Sequence, residues 1–305
     1  MISANARRLL LTAIVLQFFL VPHPPHNLPD VKPTTQSTVK HDLLLEVGRA
    51  DELTSASQTP KDLKIISYNI RWRGGEELRE LIKIFRDHER MGNAGILGLQ
   101  EVDRNKRRTK KDNTVRIMAD LLGMHYAWTA PPVAKQNDEE ATGVAILSPY
   151  PLSDIQRIVL PHEGPGGRRR IALGATVTVK DLAIRFYSVH SETRISVERK
   201  LEQMQAVLKD LANYPKSMPA VVLGDLNTWQ GSAVPKTRKL FTNENFLTPF
   251  DDQPTFYRRI LFYPLKLKLD WIWLRNLEVL NSGIEKNISL SDHWPMWCVV
   301  KVKKE

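Results

Sequence analysis

The most informative stretch of this chain is a short apolar run that stops at acidic and amide side chains: Ala220-Val221-Val222-Leu223-Gly224-Asp225-Leu226-Asn227. Consecutive apolar residues bounded by turn-forming residues are typical of a strand that is covered on both faces. Such a strand places Asp225 at its end, where a loop begins. If the stretch stays extended as far as Asn227, the side chains of Asp225 and Asn227 point to the same side.

The same arrangement recurs along the chain, because other apolar or β-branched runs also end or begin at a polar side chain. The segments are Ser67-Tyr68-Asn69, Leu99-Gln100-Glu101, Ser188-Val189-His190, Leu269-Asp270 and Ser291-Asp292-His293. Strand ends at one edge of stacked sheets can converge on one cleft, so residues far apart in the sequence can build one site.

Helical patterns lie between these segments. Apolar residues have helical spacing over 78–85, 115–122 and 197–211, and they alternate over 171–179, which a tight turn joins to the run 182–190. A hairpin mixed with interspersed helices favours layered sheets with helices outside over a doubly wound parallel sheet.

Composition excludes several classes of protein and of binding site. Of the 305 residues, 42% are apolar and 26% are charged, which excludes pervasive disorder and a polytopic membrane protein. The one cysteine, Cys298, excludes an intramolecular disulfide and a cysteine-rich zinc site. The net charge of +10 favours polyanionic partners such as nucleic acid, phosphorylated substrates or anionic lipid headgroups.

The N-terminus predicts export. Arg7 and Arg8 precede an apolar run over 9–21, so residues 1–21 are interpreted as a signal peptide or signal anchor, with cleavage left open. A disordered apolar leader is the alternative. Residues 22–61, rich in Pro, Thr, Ser and charge, are predicted to form a polar linker before a domain over 62–305. We therefore expect an exported or membrane-anchored, extracytoplasmic protein whose N-terminus can associate with a membrane.

The polar strand ends suit metal-assisted hydrolysis. Glu101, Asn69 and Asp292 offer hard oxygen ligands, and without competing thiols these suit Mg²⁺, with Mn²⁺ also possible. A divalent ion would polarise a phosphoryl oxygen and neutralise developing charge.

The other polar residues fit the proton transfers of such a reaction. One of Asp225 and Asn227 could orient or deprotonate a water while the other donates to a phosphate oxygen. His293 is the candidate acid/base or phosphate donor, and Asp270 could fix its tautomer. His190 supplies a second donor. Together they describe attack of water on a phosphate ester without a covalent nucleophile.

Each segment alone is also compatible with a purely structural role. Asn69 could be a strand-end turn residue, Glu101 could pair with the basic cluster that follows it, and residues 225–227 could form an Asx turn. His190 could be a core histidine, and residues 292–293 an exposed loop pair. The ordered combination is what favours a site.

That ordered set resembles the endonuclease/exonuclease/phosphatase superfamily, which includes deoxyribonuclease I, apurinic/apyrimidinic endonucleases, neutral sphingomyelinases and inositol polyphosphate 5-phosphatases. The resemblance covers about residues 62 to 302, and the stretch from Glu101 through Arg108 to Tyr126 resembles a bacterial metal-dependent hydrolase branch. Its most specific segments are Gln100-Glu101-Val102, Gly224-Asp225-Leu226-Asn227 and Ser291-Asp292-His293.

The resemblance implies an α/β four-layer sandwich of two mixed β-sheets flanked by helices, deoxyribonuclease I-like, with the site at one end between the sheets. It implies one role for each residue: Asn69, Glu101 and Asp292 at the metal, with Glu101 a direct ligand, Asp225 on the water, Asn227 and His293 on the phosphate, and Asp270 paired with His293. His190 fits the subgroup that has histidine there, as deoxyribonuclease I does. The abasic-site enzymes have tyrosine, which argues against close kinship with them.

The substrate stays open among three alternatives. Basic or basic-aromatic stretches at 104–111, 168–170 and 256–263 suit a single-stranded polynucleotide or an anionic membrane surface. The first hypothesis is a monomeric phosphodiesterase of the endonuclease type acting on nucleic acid. The second is a phospholipid or phosphoinositide headgroup phosphodiesterase or phosphatase at a membrane. The third is an inactive polyanion-binding module.

Overall fold

Two β-sheets, a separate hairpin and four helices form the described part of a computed structural model, which covers residues 44–50, 61–132, 140–179 and 182–302. The strands are β1 (Leu45–Arg49), β2 (Asp62–Asn69), β3 (Ile96–Arg104), β4 (His125–Thr129), β5 (Ala141–Ser148), β6 (Leu152–Val159), β7 (Ile171–Val179), β8 (Leu182–His190), β9 (Ala220–Asp225), β10 (Phe256–Ile260), β11 (Tyr263–Leu267), β12 (Asp270–Arg275), β13 (Leu277–Ile284) and β14 (Met296–Val302). The helices are α1 (Gly75–Asp87), α2 (Thr114–Leu122), α3 (Val197–Leu211) and α4 (Ala233–Asn243).

Both large sheets are mixed. The seven-stranded sheet has the order β1-β4-β5-β3-β2-β14-β13, and the five-stranded sheet has the order β12-β9-β8-β7-β6. Only one pair in each sheet is parallel, β2 with β3 and β8 with β9, and the other pairs are antiparallel. The remaining strands β10 and β11 pair only with each other among the described strands.

Three apolar clusters separate four layers. Residues such as Ile65, Ile146 and Phe186 fill the space between the two sheets. Outside the seven-stranded sheet, α1 and α2 bury a second cluster that includes Phe85. Outside the five-stranded sheet, α3 and α4 bury a third cluster that includes Phe241. The predicted four-layer sandwich of two mixed sheets flanked by helices is therefore confirmed.

The helices follow from local sequence signals. Leu78, Leu81, Ile82 and Phe85 are the buried residues of α1, at the spacing of one helix face. The carbonyl oxygen of the Asn113 side chain accepts a hydrogen bond from the amide of Arg116 at the start of α2. Gly123 ends that helix at a φ of 65°, which glycine adopts without steric cost.

The first strand corrects the predicted linker. β1 pairs antiparallel with β4 over its whole length, so residues 44–50 belong to the folded domain and not to a linker over 22–61. Glu46 anchors the strand, because its carboxylate accepts hydrogen bonds from Tyr126 Oη at 2.8 Å and from Asn113 Nδ2 at 2.8 Å. A five-residue strand beside a Pro- and Thr-rich stretch gives too weak a period to recognise in sequence.

The structure does not test the rest of the N-terminal prediction. The leader over 1–21 and the linker residues 22–43 and 51–60 lie outside the described residues. Within the described ranges, every helix is too short or too polar to cross a membrane.

Candidate active site

Sheet register brings the polar strand ends to one edge of the sandwich. The carboxyl ends of the parallel strands β8 and β9 place His190 beside Asp225. Because β12 runs antiparallel to β9, its first residue, Asp270, also pairs with Asp225. In the other sheet, β2 ends at Asn69 opposite Gln100 of β3. The predicted convergence on one edge is thus present in the fold.

Asp225, His293 and Asp270 form the buried centre of this edge. Nδ1 of His293 lies 2.8 Å from Oδ2 of Asp270, while its Nε2 lies 3.8 Å from Oδ2 of Asp225. The three residues are 2%, 6% and 2% exposed in the order Asp225, His293, Asp270. The ring of Phe256 packs edge-on against the imidazole at 5.1 Å. The predicted Asp270–His293 pair is therefore present.

This packing shifts the protonation of His293 and Asp225. Burial by itself lowers the pKa of His293, but the carboxylates of Asp270 and Asp225 outweigh that effect and raise the pKa well above its ordinary value. Burial raises the pKa of the Asp225 carboxyl; Asp270 and Glu101 add to this and the His293 charge opposes it. A cationic imidazole therefore lies between two carboxyl groups.

Glu101 is aimed into the site by a β-bulge. The register of β3 against β5 shifts between Gln100 and Val102, and the backbone of Glu101 has a φ of 57°. Bulges next to active sites commonly redirect a side chain in this way. Nδ2 of Asn69 lies 3.2 Å from Oε1 of Glu101 and 3.1 Å from Oδ2 of Asp225. Asn69 therefore links the carboxylates of the two sheets.

Asn227 reaches the site from a turn, so the Asx-turn alternative applies and the stretch is not extended as far as Asn227. Strand β9 ends at Asp225, and Asn227 has a φ of 51°. Its amide N–H donates to Oδ1 of Asp225 at 3.0 Å, as in an Asx turn, and its Nδ2 donates to the carbonyl of Ser191 at 3.0 Å. The ammonium of Lys200 donates to the Asn227 carbonyl at 2.6 Å. The turn is structural and still leaves Asn227 buried beside Asp225.

His190 has the opposite surroundings to His293. Its Nδ1 lies 3.2 Å from Nη1 of Arg170, and its Nε2 lies 3.5 Å from Oδ2 of Asp225. Burial, then the charges of Arg170, His293 and Arg168, hold the pKa of His190 well below its ordinary value. A guanidinium can only donate, so Nδ1 accepts and the proton of the neutral ring is on Nε2.

Asp292 lies at the margin of the site. Its Oδ2 forms an ion pair with Nη1 of Arg71 at 3.2 Å, and its side chain is 15% exposed. The predicted metal residues Asn69 and Glu101 contact each other, whereas Asp292 contacts Arg71. Its predicted place at the metal stays a prediction.

Two overlapping sets of donors could hold a cation. Ligand atoms of Asp225, Asp270 and His293 all lie within 4.8 Å of one another. In that set, however, His293 Nδ1 and Asp270 already bond to each other. Glu101 differs, because its Oε2 is buried and has no hydrogen-bond partner among the described residues. The chemistry of the donors therefore favours a cation near Glu101, with Asn69 and Asp225 next to it.

Sequence reasoning missed Arg170 and Lys200 as parts of the site. Arg170 lies in the basic run 168–170, which suggested a polyanion-binding surface, yet it immediately precedes β7 at the level of His190. The carboxylate of Glu192, which is fully buried, pairs with both Arg168 and Arg170. The register of the 171–190 hairpin could have identified Arg170, because it places residue 170 beside His190, the last residue of β8.

Comparison with known proteins gives a family match that spans the candidate site. The sequence profile of the Endonuclease/Exonuclease/phosphatase family matches residues 66–293. This range contains every predicted site residue. No curated protein matches the chain at a significant level of sequence similarity.

Solved structures with low sequence identity share the fold. An endonuclease/exonuclease/phosphatase family protein from Leptotrichia buccalis has a TM-score of 0.61 at 18% identity, over 78% of this chain and 99% of that chain. The human Nocturnin catalytic domain with a bound sulfate anion has a TM-score of 0.61 at 19% identity, over 80% of this chain and 94% of that chain. A humanized TDP2 from D. rerio has a TM-score of 0.59 at 16% identity, over 79% and 99%. These likenesses concern the fold.

Proposed function

Since this chain belongs to the endonuclease/exonuclease/phosphatase family, a family of phosphoesterase-type hydrolases, we propose that it is a divalent-metal-dependent phosphodiesterase of the endonuclease type. The observation that carries the proposal is the convergence of Asn69 and Glu101 from one sheet with Asp225 and Asp270 from the other around His293. Burying that many ionisable groups together is unfavourable unless they are paired or bind a ligand.

The residues present fit a hard divalent cation. Glu101 Oε2 is a buried oxygen without a hydrogen-bond partner among the described residues, and Asp225 adds carboxylate oxygens of the kind that Mg²⁺ prefers, while Asn69 donates from Nδ2 to both carboxylates. We assign Glu101 as a direct ligand, with Asn69 and Asp292 beside it, and propose Mg²⁺ with Mn²⁺ as the alternative. When bound, such an ion would polarise the phosphoryl group and offset its developing charge.

The protein side chains supply the proton transfers. Asp225 accepts the hydrogen bond of the attacking water and takes its proton, a role favoured by a pKa raised through burial. His293, held cationic by Asp270, donates from Nε2 to a phosphate oxygen or to the leaving group. Neutral His190 donates a second hydrogen bond from Nε2, and Asn227 completes the contacts to the phosphate.

The proposed substrate is a polyanionic phosphate ester, with nucleic acid as the first candidate because of the net charge of +10. A lipid headgroup phosphodiester is the second candidate, favoured by the exposed apolar hairpin β10–β11 beside the site. The presence of the full ordered set of carboxylates and histidines favours either enzyme over an inactive polyanion-binding module.

A substrate panel tests the proposal. The purified full chain would be assayed on plasmid, single-stranded DNA, RNA, sphingomyelin, phosphoinositides and bis(4-nitrophenyl) phosphate, each with Mg²⁺, Mn²⁺ or excess chelator. We expect metal-dependent hydrolysis of at least one phosphodiester. Release of phosphate from monoesters alone would contradict the phosphodiesterase assignment, and inactivity on the whole panel would favour the polyanion-binding alternative.

We also propose that the protein is a monomer that is exported or anchored to a membrane. Two N-terminal deletions separate the role of the leader from that of strand β1. Deleting residues 1–30 removes the apolar run but keeps β1, so we expect a soluble, active domain. Deleting 1–60 also removes Glu46 and its hydrogen bonds to Tyr126 and Asn113, so thermal stability should fall. Full-length protein found only in the soluble cytoplasm would contradict export. Sedimentation of the chain without residues 1–30 as a dimer would contradict the monomeric state.

A further inference from the structure

The hairpin β10–β11 ends in three large apolar side chains that lie in solvent. Leu261, Phe262 and Tyr263 are 79%, 84% and 74% exposed, more than any other large hydrophobic residue in the described ranges. They are consecutive in sequence, with Ile260 paired to Tyr263 around the turn. A contiguous apolar tip of this kind, unlike scattered surface residues, marks a contact with another apolar phase.

The backbone at this tip adds a second observation. Leu261 is the first residue of the two-residue loop and has a φ of 52°, in the left-handed region. Glycine or asparagine occupies such a position at little cost, whereas a leucine there is strained. The fold gains almost no packing from this side chain because most of it is exposed. Packing within the described fold therefore does not account for its apolar character.

Cationic side chains lie directly behind the tip. Arg258 and Arg259 on β10 and Lys266 on β11 are all exposed. Apolar residues followed by a basic belt match the interface of an anionic bilayer, where the tip enters the acyl boundary and the cations stay among the phosphates. Stacking on a polynucleotide could use the rings of Phe262 and Tyr263 but would leave the exposed Leu261 without a partner, whereas an acyl boundary accommodates all three side chains.

The base of the hairpin is fixed to the candidate active site. Phe256 packs edge-on against His293, and the amide of Tyr257 donates to the carbonyl of Asp292 at 2.8 Å. The rings of Tyr257 and Trp294 stack at 5.9 Å. A tip held in a bilayer would therefore keep the active-site edge at the membrane surface.

We propose that Leu261, Phe262 and Tyr263 insert into the interface of an anionic phospholipid bilayer, with Arg258, Arg259 and Lys266 at its headgroups. This inference goes beyond the proposed hydrolysis and does not depend on it, because it concerns the surface that the protein binds and not the bond that it cleaves.

A single-site fluorescent probe tests the insertion in the full chain. Cys298 is fully buried and burial raises the pKa of its thiol to about 12, so an introduced surface cysteine should react selectively. Phe262→Cys places an environment-sensitive fluorophore at the tip. Ser217→Cys is the matched control, because Ser217 is exposed in the loop before β9, at the sheet edge opposite Asp225.

Vesicles of phosphatidylglycerol and phosphatidylcholine should shift the emission of the probe at position 262 to the blue, and nitroxide-labelled lipid should quench it. The probe at position 217 should not respond, even if the N-terminal leader brings the protein to the vesicles. Equal responses at the two positions would overturn the proposal. So would a response at 262 to a single-stranded oligonucleotide but not to vesicles, which would identify a polynucleotide surface instead.

Vesicle co-sedimentation gives a second measurement. The variant Leu261→Ser/Phe262→Ser should lose on the order of tenfold or more in partitioning relative to the wild type. Leu280→Ser, which changes another exposed leucine of 47% exposure, should bind as the wild type does. Circular dichroism would verify folding of each variant. Unchanged partitioning of the folded double variant would contradict insertion of the tip.

Discussion

His293 and His190 approach the same carboxylate but have opposite electrical surroundings. Each ring directs Nε2 at Oδ2 of Asp225, at 3.8 Å for His293 and 3.5 Å for His190. The difference lies at Nδ1, which meets the carboxylate of Asp270 in one ring and the guanidinium of Arg170 in the other. Burial lowers the pKa of both rings; Arg170 adds to this effect at His190, whereas Asp270 and Asp225 outweigh it at His293.

This difference divides the chemistry between the two rings. His293, with a raised pKa, can give up a proton during the reaction, whereas neutral His190 can only offer a hydrogen bond from Nε2. Asp225 between them can accept the proton of a water without competition from a second cationic imidazole.

The largest expected effect follows from removing the cationic ring. Loss of a positioned acid/base group commonly lowers the rate by about 10²–10⁴, so His293→Ala should lose that much kcat on the substrate found in the panel. Steady-state kinetics on folded variants would measure it. Turnover of His293→Ala close to the wild type would mean that the ordered motif marks the fold and not the catalytic site.

A smaller loss is expected from Asp270→Asn, because the imidazole remains and only its tautomer and basicity change. Asp270 should act through His293, so the double variant Asp270→Asn/His293→Ala should be little worse than His293→Ala alone. A double-mutant cycle on kcat measures this coupling. Strictly additive losses would show that the two residues act separately.

Removing Arg170 should lower the rate of hydrolysis by roughly tenfold through its effect on neutral His190, as expected for the loss of one charge-assisted hydrogen bond. Arg170→Met removes both the donor to Nδ1 and the positive charge, so the pKa of His190 should rise towards its ordinary value, measured by NMR of the ring protons. Arg170→Lys keeps a charged donor and serves as the control. The same His190 pKa in both variants would contradict the assignment of Arg170 as the positioning residue.

The smallest effect is an opposite pH dependence of stability for the two rings. Because folding raises the pKa of His293, its protonation stabilises the fold fully below the ordinary pKa of 6.5, and this contribution is lost as pH rises above 6.5. Because folding lowers the pKa of His190, this residue destabilises the fold at acid pH, and the penalty disappears as pH rises to about 6.5. The difference in melting temperature between wild type and His293→Gln should therefore shrink above pH 6.5, whereas the difference between wild type and His190→Gln should grow from acid to neutral pH.

Thermal unfolding from pH 5 to pH 9, in chelator, would measure both differences in melting temperature. Trends of the same sign for the two variants would remove the contrast between the rings.

The comparison of the two rings also shows which parts of the site could be predicted from the sequence. Polar residues at strand ends predicted the site only in combination, because each of them alone is also compatible with a structural role. The Asp270–His293 pair followed from the same pattern, with the resemblance to a known family. The contact of Arg170 with His190 was missed, since it depends on the register of the 171–190 hairpin and not on a local motif.

Local backbone geometry accounts for the other differences. The bulge that turns Glu101 inward and the left-handed turn at Asn227 arise where two sheets meet, which no single stretch encodes. Strand β1 escaped notice because five residues give a weak period, and its stability comes from partners as distant as Tyr126.

Metal dependence at Glu101 is the sharpest test of the proposed active site. The full chain and Glu101→Gln would be compared by Mg²⁺ titration calorimetry and by hydrolysis of the best phosphodiester with and without excess chelator. We expect chelator to abolish turnover and Mg²⁺ to restore it, and we expect Glu101→Gln to lose both Mg²⁺ binding and nearly all activity at an unchanged melting temperature. Undiminished hydrolysis in excess chelator, or Mg²⁺ binding by Glu101→Gln equal to that of the wild type, would contradict the account.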